Sequence, residues 1–164
     1  MDLTGSTKYL SLTNSVPLTS NEWTIEAWFY GQLPTTGDIH NTLITEKNPG
    51  TQQIIQVNNS RQLGIYSTTD GGGFRSSGYT GIDSLSSTQW HHLVAVGKNS
   101  KTYFYIDGSI VGTYSNYQSS TSIDKIGNGR NTSAEFKRPW GKIDDIVIYK
   151  RALSPSEISQ RAAR

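Results

Sequence analysis

The feature that most constrains this chain is rhythm: short apolar and aromatic runs alternate with clusters of Gly, Ser, Asn and Thr along its whole length. Runs of this kind are too short for core helices and read as the strands of a sandwich or barrel. The pattern predicts strands over Tyr9–Leu12, Trp23–Tyr30, Asn41–Glu46, Gln53–Val57, Gln62–Ser67, His91–Lys98, Thr102–Ile106, Ile110–Tyr114, Ser122–Ile126 and Lys142–Tyr149. In His91–Val96, Leu93 and Ala95 face one way while His92, Val94 and Val96 face the other, so both faces carry apolar groups. A strand of that type sits centrally in a layered structure.

Local turn chemistry sharpens the picture. Asp107-Gly108 supplies the positive φ angles of a tight hairpin between Thr102–Ile106 and Ile110–Tyr114. The stretch Thr68–Gln89, with Gly71-Gly72-Gly73 and many serines, is expected mainly as an extended loop or meander. One helix is expected, at the end. Ser154 caps it, Pro155 takes its first position, and Glu157 completes a capping box. Leu153 and Ile158 are spaced as a hydrophobic staple, and Ser159–Arg164 is expected to fray.

The chain has 164 residues, which suits one domain over 1–164 with a core large enough to fold without metal or disulfide. It has no cysteine, so disulfides, thiolate metal sites and cysteine nucleophiles are excluded. A net charge of +2 with mixed signs and no basic run argues against a nucleic-acid partner. No apolar run approaches the roughly 20 residues of a membrane span, so no membrane insertion is expected. Only 17% of residues are charged, while neutral polar residues are abundant, which suits an extracellular, cell-surface or virion-exposed β-domain. The start, Met1-Asp-Leu-Thr-Gly-Ser6, has no signal-peptide pattern.

Four segments in this order carry a resemblance: Thr24–Trp28, Trp90–Val96, Tyr103–Gly108 and Gly141–Leu153, the last followed by Ser154–Ile158. Together with the opening Leu3–Leu12 they resemble the concanavalin A-like, laminin G-like jelly-roll domains. The resemblance implies an all-β sandwich of two antiparallel sheets with a short C-terminal helix. It also implies a lectin-like or adhesive role, binding glycan or another surface ligand through edge loops or the concave sheet. Relatives of this type frequently hold a structural calcium between first and last strands. Asp144 matches the closing-strand position and the carbonyl of Gly5 would join it, but the position that is often Asp in the opening strand is Thr4 here. Calcium prefers six to eight oxygens, usually with more than one carboxylate.

Catalytic chemistry has little to stand on. A glycosidase needs two carboxylates flanking one bond. Asp144 and Asp145 are adjacent, so a regular strand points them to opposite faces, and Glu26 stands alone among apolar neighbours, where an internal hydrogen bond or ion pair explains it. His91 and His92 alternate across a strand and cannot chelate one metal together. With His40 as the third histidine, neither a zinc site nor a Ser-His-Asp triad is supported. No catalytic residue is assigned.

Sugar binding combines an aromatic face with planar hydrogen-bonding groups. The segment Tyr66–Tyr79 offers Tyr66, Asp70, Arg75 and Tyr79 around a Gly-rich turn. The segment Asn128–Trp140 offers Asn128, Arg130, Asn131 and Trp140. These eight residues form the expected ligand-binding set. Three functions remain open on the sequence: a non-catalytic glycan or surface-ligand module, a structural protein such as a phage capsid-decoration or tail-associated domain with virion or surface-protein subunits as partners, and a small polysaccharide hydrolase or lyase.

Overall fold

Alternating inward residues build two sheets that share one core. The computed structural model describes residues 1–3, 9–18, 22–34, 40–46, 52–68, 71–116, 119–127 and 140–163. Its strands are β1 (Asp2–Leu3), β2 (Tyr9–Pro17), β3 (Glu22–Tyr30), β4 (His40–Glu46), β5 (Gln52–Asn58), β6 (Leu63–Ser67), β7 (Gly73–Ser76), β8 (Trp90–Lys98), β9 (Lys101–Ile106), β10 (Ser109–Tyr114), β11 (Ser122–Gly127) and β12 (Gly141–Tyr149). They pair antiparallel into a first sheet of order β1-β12-β3-β8-β9-β10 and a second of order β2-β11-β4-β5-β6-β7. This is a jelly-roll sandwich.

Trp23, Ile25, Ala27 and Phe29 of β3 and Leu93 and Ala95 of β8 meet Ile44, Ile55, Leu63 and Ile65 of the second sheet in one buried cluster. At about 25 cal/mol per Å² of apolar surface removed from water, this inter-sheet layer dominates the favourable side of folding. Trp23 lies opposite Gly97, and a Cβ on that glycine would stand 2.2 Å from the indole ring. Glycine is therefore required at residue 97 so that the β8 backbone can lie against the ring. The indole Nε1 donates to the carbonyl of Ser119 at 2.7 Å, satisfying the one polar atom of a fully buried side chain.

β8 is central, between β3 and β9, as its two-sided apolar pattern implies. Asp107 (φ 49°) and Gly108 (φ 79°) make the expected tight hairpin. The stretch 68–89 is more regular than expected: within it β7 pairs with β6, and Gly81–Ser84 form a 3-10 turn. Leu63 and Ile65 are buried and recruit β7 as an extra edge strand, which a Gly- and Ser-rich segment does not advertise.

The helix α1 (Pro155–Ala162) has the expected capping box. Ser154 Oγ accepts from the Glu157 amide, and the Glu157 carboxylate accepts from the Ser154 amide at 2.7 Å. Contrary to the expected fraying, the helix continues through Arg161, which is tied to the first sheet. Upstream, the Thr24 hydroxyl donates to the Arg151 carbonyl and accepts from the Leu153 amide, both at 2.9 Å. The helix thus docks on the outer face of the first sheet, the face turned away from its partner sheet. Leu153 and Ile158 cover Val94, Val96 and Tyr105 there in a second buried cluster.

Candidate binding surface

The register of the first sheet arranges its outer face in rows. One row runs Asp144–Trp28–His92 across β12, β3 and β8, and the row beside it carries Lys142, Tyr30 and Trp90. Tyr30 and Trp90 contact edge-to-face with ring centroids 5.5 Å apart, and they remain 37% and 40% exposed. The Lys142 ammonium stands 5.2 Å from the Tyr30 ring centroid, a cation–π contact. Trp28 and His92 stack at 5.0 Å and are almost fully buried. The result is an aromatic platform: a buried pair as its floor, an exposed pair as its face.

Two open recesses flank the platform. One, about 270 Å³, is lined by Met1, Asp2, Trp90, Lys142 and Asp144. The other, about 620 Å³, lies between the platform and the helix, with Glu26, Trp28, His92, Asp145, Gln160 and Arg161 among its lining. Here the expectation that Asp144 and Asp145 point to opposite faces is corrected. Between Asp144↔Trp28 and Val147↔Glu26 the strand bulges, and Asp145 adopts φ 43°. The extra residue breaks the alternation, as β-bulges do, and both carboxylates line recesses on the outer face.

Glu26 is the electrostatic centre of the larger recess. Its carboxylate accepts from Arg161 Nε at 2.7 Å, Arg161 Nη2 at 2.7 Å and the Tyr149 hydroxyl at 2.9 Å. His92 Nε2 stands 3.5 Å away. The His92 tautomer protonated at Nε2 is the one that faces the carboxylate, leaving a buried Nδ1 with no partner. Burial alone would raise the Glu26 pKa. The His92, Arg161 and Tyr149 contacts outweigh it and hold the carboxyl at about 2. The same burial, reinforced by the bond to Glu26, raises the Tyr149 pKa.

Residues 4–159 match the family described as the concanavalin A-like lectin/glucanases superfamily. The chain belongs to this superfamily. A comparison with curated protein sequences gives no match. Among solved structures, this concanavalin A-like chain is similar to Trypanosoma rangeli sialidase, with 18% identity and a TM-score of 0.58 over 88% of this chain, yet it spans only 23% of that enzyme. It is also similar to a heptameric SAP-like pentraxin from Limulus polyphemus (16% identity, TM-score 0.63, covering 96% of this chain and 76% of that one). A third similar structure is domain 4 of AbnA, a GH43 extracellular arabinanase from Geobacillus stearothermophilus, in complex with arabinotriose (17% identity, TM-score 0.60, covering 96% and 82%). At these identities the likeness shows the fold.

The residues expected from sequence to bind ligand scatter across this fold. Tyr66 pairs with Phe74 and Arg75 with Ile65, so Tyr66 and Arg75 occupy opposite faces of the β6–β7 hairpin. The Arg75 guanidinium reaches back to the Gly71 turn. Tyr79 packs partly buried against the inter-sheet core and donates its hydroxyl to the Gly81 carbonyl at 2.9 Å. Trp140 is 3% exposed and belongs to that core, so it presents no face for stacking. Asp70, Asn128, Arg130 and Asn131 lie outside the described residues.

For calcium, Gly5 also lies outside the described residues, and Asp144 shares its recess with the Lys142 ammonium. Among the described residues no three His, Asp or Glu side chains gather into a metal cluster. The described part of that donor set is the single carboxylate of Asp144, against the six to eight oxygens calcium takes. Sequence reasoning missed Tyr30, Trp90 and Arg161. The first two lie in strand patterns that read as core, and Arg161 meets Glu26 across 135 residues of chain.

Proposed function

We propose that this domain is a non-catalytic recognition module that binds glycan on the open part of the first sheet's outer face. The observation that carries the reading is the exposed Tyr30–Trp90 pair, whose Trp90 lines one recess with Asp2, Lys142 and Asp144, while Trp28 and His92 in the neighbouring row line a second with Asp145, Gln160 and Arg161. Exposed aromatic rings offer the faces that sugar C–H edges stack on, and the polar rim offers both donors and acceptors for hydroxyls. The arabinotriose-bound arabinanase domain, of which this chain covers 82%, supports a sugar ligand by analogy of fold.

Hydrolysis fits the site poorly. A glycosidase acid must hold its proton near neutral pH, which requires a raised pKa. Glu26 is held at about 2 and is engaged by Arg161. Its role is to anchor the helix. A second reading keeps the β6–β7 edge as the contact surface, since Arg75 and the Gly71–Gly73 turn form a compact polar rim there. An extracellular or surface-exposed setting accords with either reading.

A glycan array read with and without calcium tests the proposal. Binding to at least one sugar class is expected, weakened tenfold or more by Trp90→Ala and unaffected by Arg75→Ala. No binding to any sugar in either condition would overturn it.

A further inference from the structure

Tyr30 and Trp90 are neighbours, but they do not form a flat shelf. Their ring planes cross at 71° with centroids 5.5 Å apart. In an edge-to-face contact the edge of one ring abuts the face of the other, so that face is already taken. The Lys142 ammonium lies over the Tyr30 ring and covers part of it as well. In the next row Trp28 and His92 are almost fully buried and add no ring face. The exposed aromatic surface here is therefore a wedge with two walls.

Stacking brings carbon atoms to about 3.5–4.0 Å. Two sugars laid that close to the two walls from inside the wedge would collide, because the ring centres are only 5.5 Å apart. The faces outside the wedge look away from each other, so no flat ligand meets both rings. One sugar ring fits, with its C–H face on one wall and its edge against the other. The recess that Trp90 lines, about 270 Å³, is smaller than the roughly 300–1,000 Å³ of ordinary ligand pockets. The larger recess offers a following unit polar groups but no exposed ring. From this geometry, and resting on the glycan-binding reading above, we infer that the site recognises a single sugar unit, such as a chain end or a branch, and does not hold the flat face of an ordered polysaccharide.

The test is a glycan array on which each sugar class is printed as monomer, dimer and hexamer, read beside films of crystalline cellulose and crystalline chitin. The class that binds should give a hexamer signal within about threefold of its dimer, and neither film should retain the protein. Tyr30→Ala removes one wall and leaves the Trp90 ring, so dimer binding should fall about fivefold or more. Unfolding measured in parallel establishes that the variant is folded, and the length series stands without it. A hexamer signal at least tenfold above the dimer, retention on either film that Trp90→Ala abolishes, or undiminished dimer binding by folded Tyr30→Ala would overturn the wedge while keeping the glycan reading. No signal on any sugar class or film would remove the glycan reading itself.

Discussion

Two halves of one sheet face, both crossing β8, meet opposite fates. At one end Val94, Val96 and Tyr105 are sealed under Leu153 and Ile158 of the C-terminal segment. At the other, Tyr30 and Trp90 stay more than a third exposed, although Trp90 shares β8 with Val94 and Val96 and Tyr30 lies on the neighbouring β3. Strand propensity and alternation treat both ends alike. What separates them is where the helix docks. That docking is fixed by the Thr24 hydroxyl, which holds residues 151–153, and by Glu26, which holds Arg161. The covered end is therefore stability, and the open end is surface left over for contact.

Variants can break this division. The largest effect is expected at the covered end: Ile158→Ala removes a fully buried side chain and should cost about 2–4 kcal/mol in denaturant unfolding. A cost below about 1 kcal/mol would show that the helix is only loosely docked.

Glu26→Gln comes next, at about 1–3 kcal/mol, because the Tyr149 hydroxyl keeps an acceptor while Arg161 loses its charge partner. The half-exposed Arg161 can rehydrate, which keeps the loss below that of a fully buried pair. The same residue gives a pH signature. Its folded pKa of about 2 lies below the ordinary carboxylate value of 4.5, so the unfolded chain binds the extra proton first. Stability from Glu26 is complete above about pH 5.5 and falls as pH drops through 4.5 towards 2, by on the order of 3 kcal/mol. Acid titration of unfolding should show that fall in the parent protein and a clearly smaller one in Glu26→Gln.

At the open end the stability cost should nearly vanish. Trp90→Ala is expected to change unfolding by about 1 kcal/mol or less while abolishing sugar binding. Lys142→Ala, which removes a cation from an exposed ring, should cost roughly 0.5 kcal/mol. A large destabilisation by Trp90→Ala would mean that the platform is core after all.

The sandwich and its capped helix were legible in the sequence because they rest on local signals: period-two alternation, Asp107-Gly108, and Ser154-Pro-Ser-Glu157. The edge strand β7 was not, because Gly73–Ser76 has weak strand propensity and forms by pairing with a buried neighbour. The candidate surface was read poorly for a related reason. Trp140 and Trp90 look alike as aromatic residues beside strands, yet one is 3% and the other 40% exposed. That difference depends on which face the helix and the partner sheet cover. Asp145 was misplaced because a single bulged residue inverts everything that alternation implies. Glu26 was read correctly as an ion-paired group, but its partner lay beyond any local pattern.

The central claim is that the exposed Tyr30–Trp90 pair and the recesses beside its row, and not the hairpin loops of the opposite sheet, receive the ligand. Backbone and indole N–H shifts followed by nuclear magnetic resonance during titration with a neutral oligosaccharide test this directly. The account predicts saturable shifts at Trp28, Tyr30, Trp90 and Asp145, with Tyr66, Arg75 and Tyr79 unmoved. Shifts concentrated on those latter three, with the Trp90 indole silent, would contradict it.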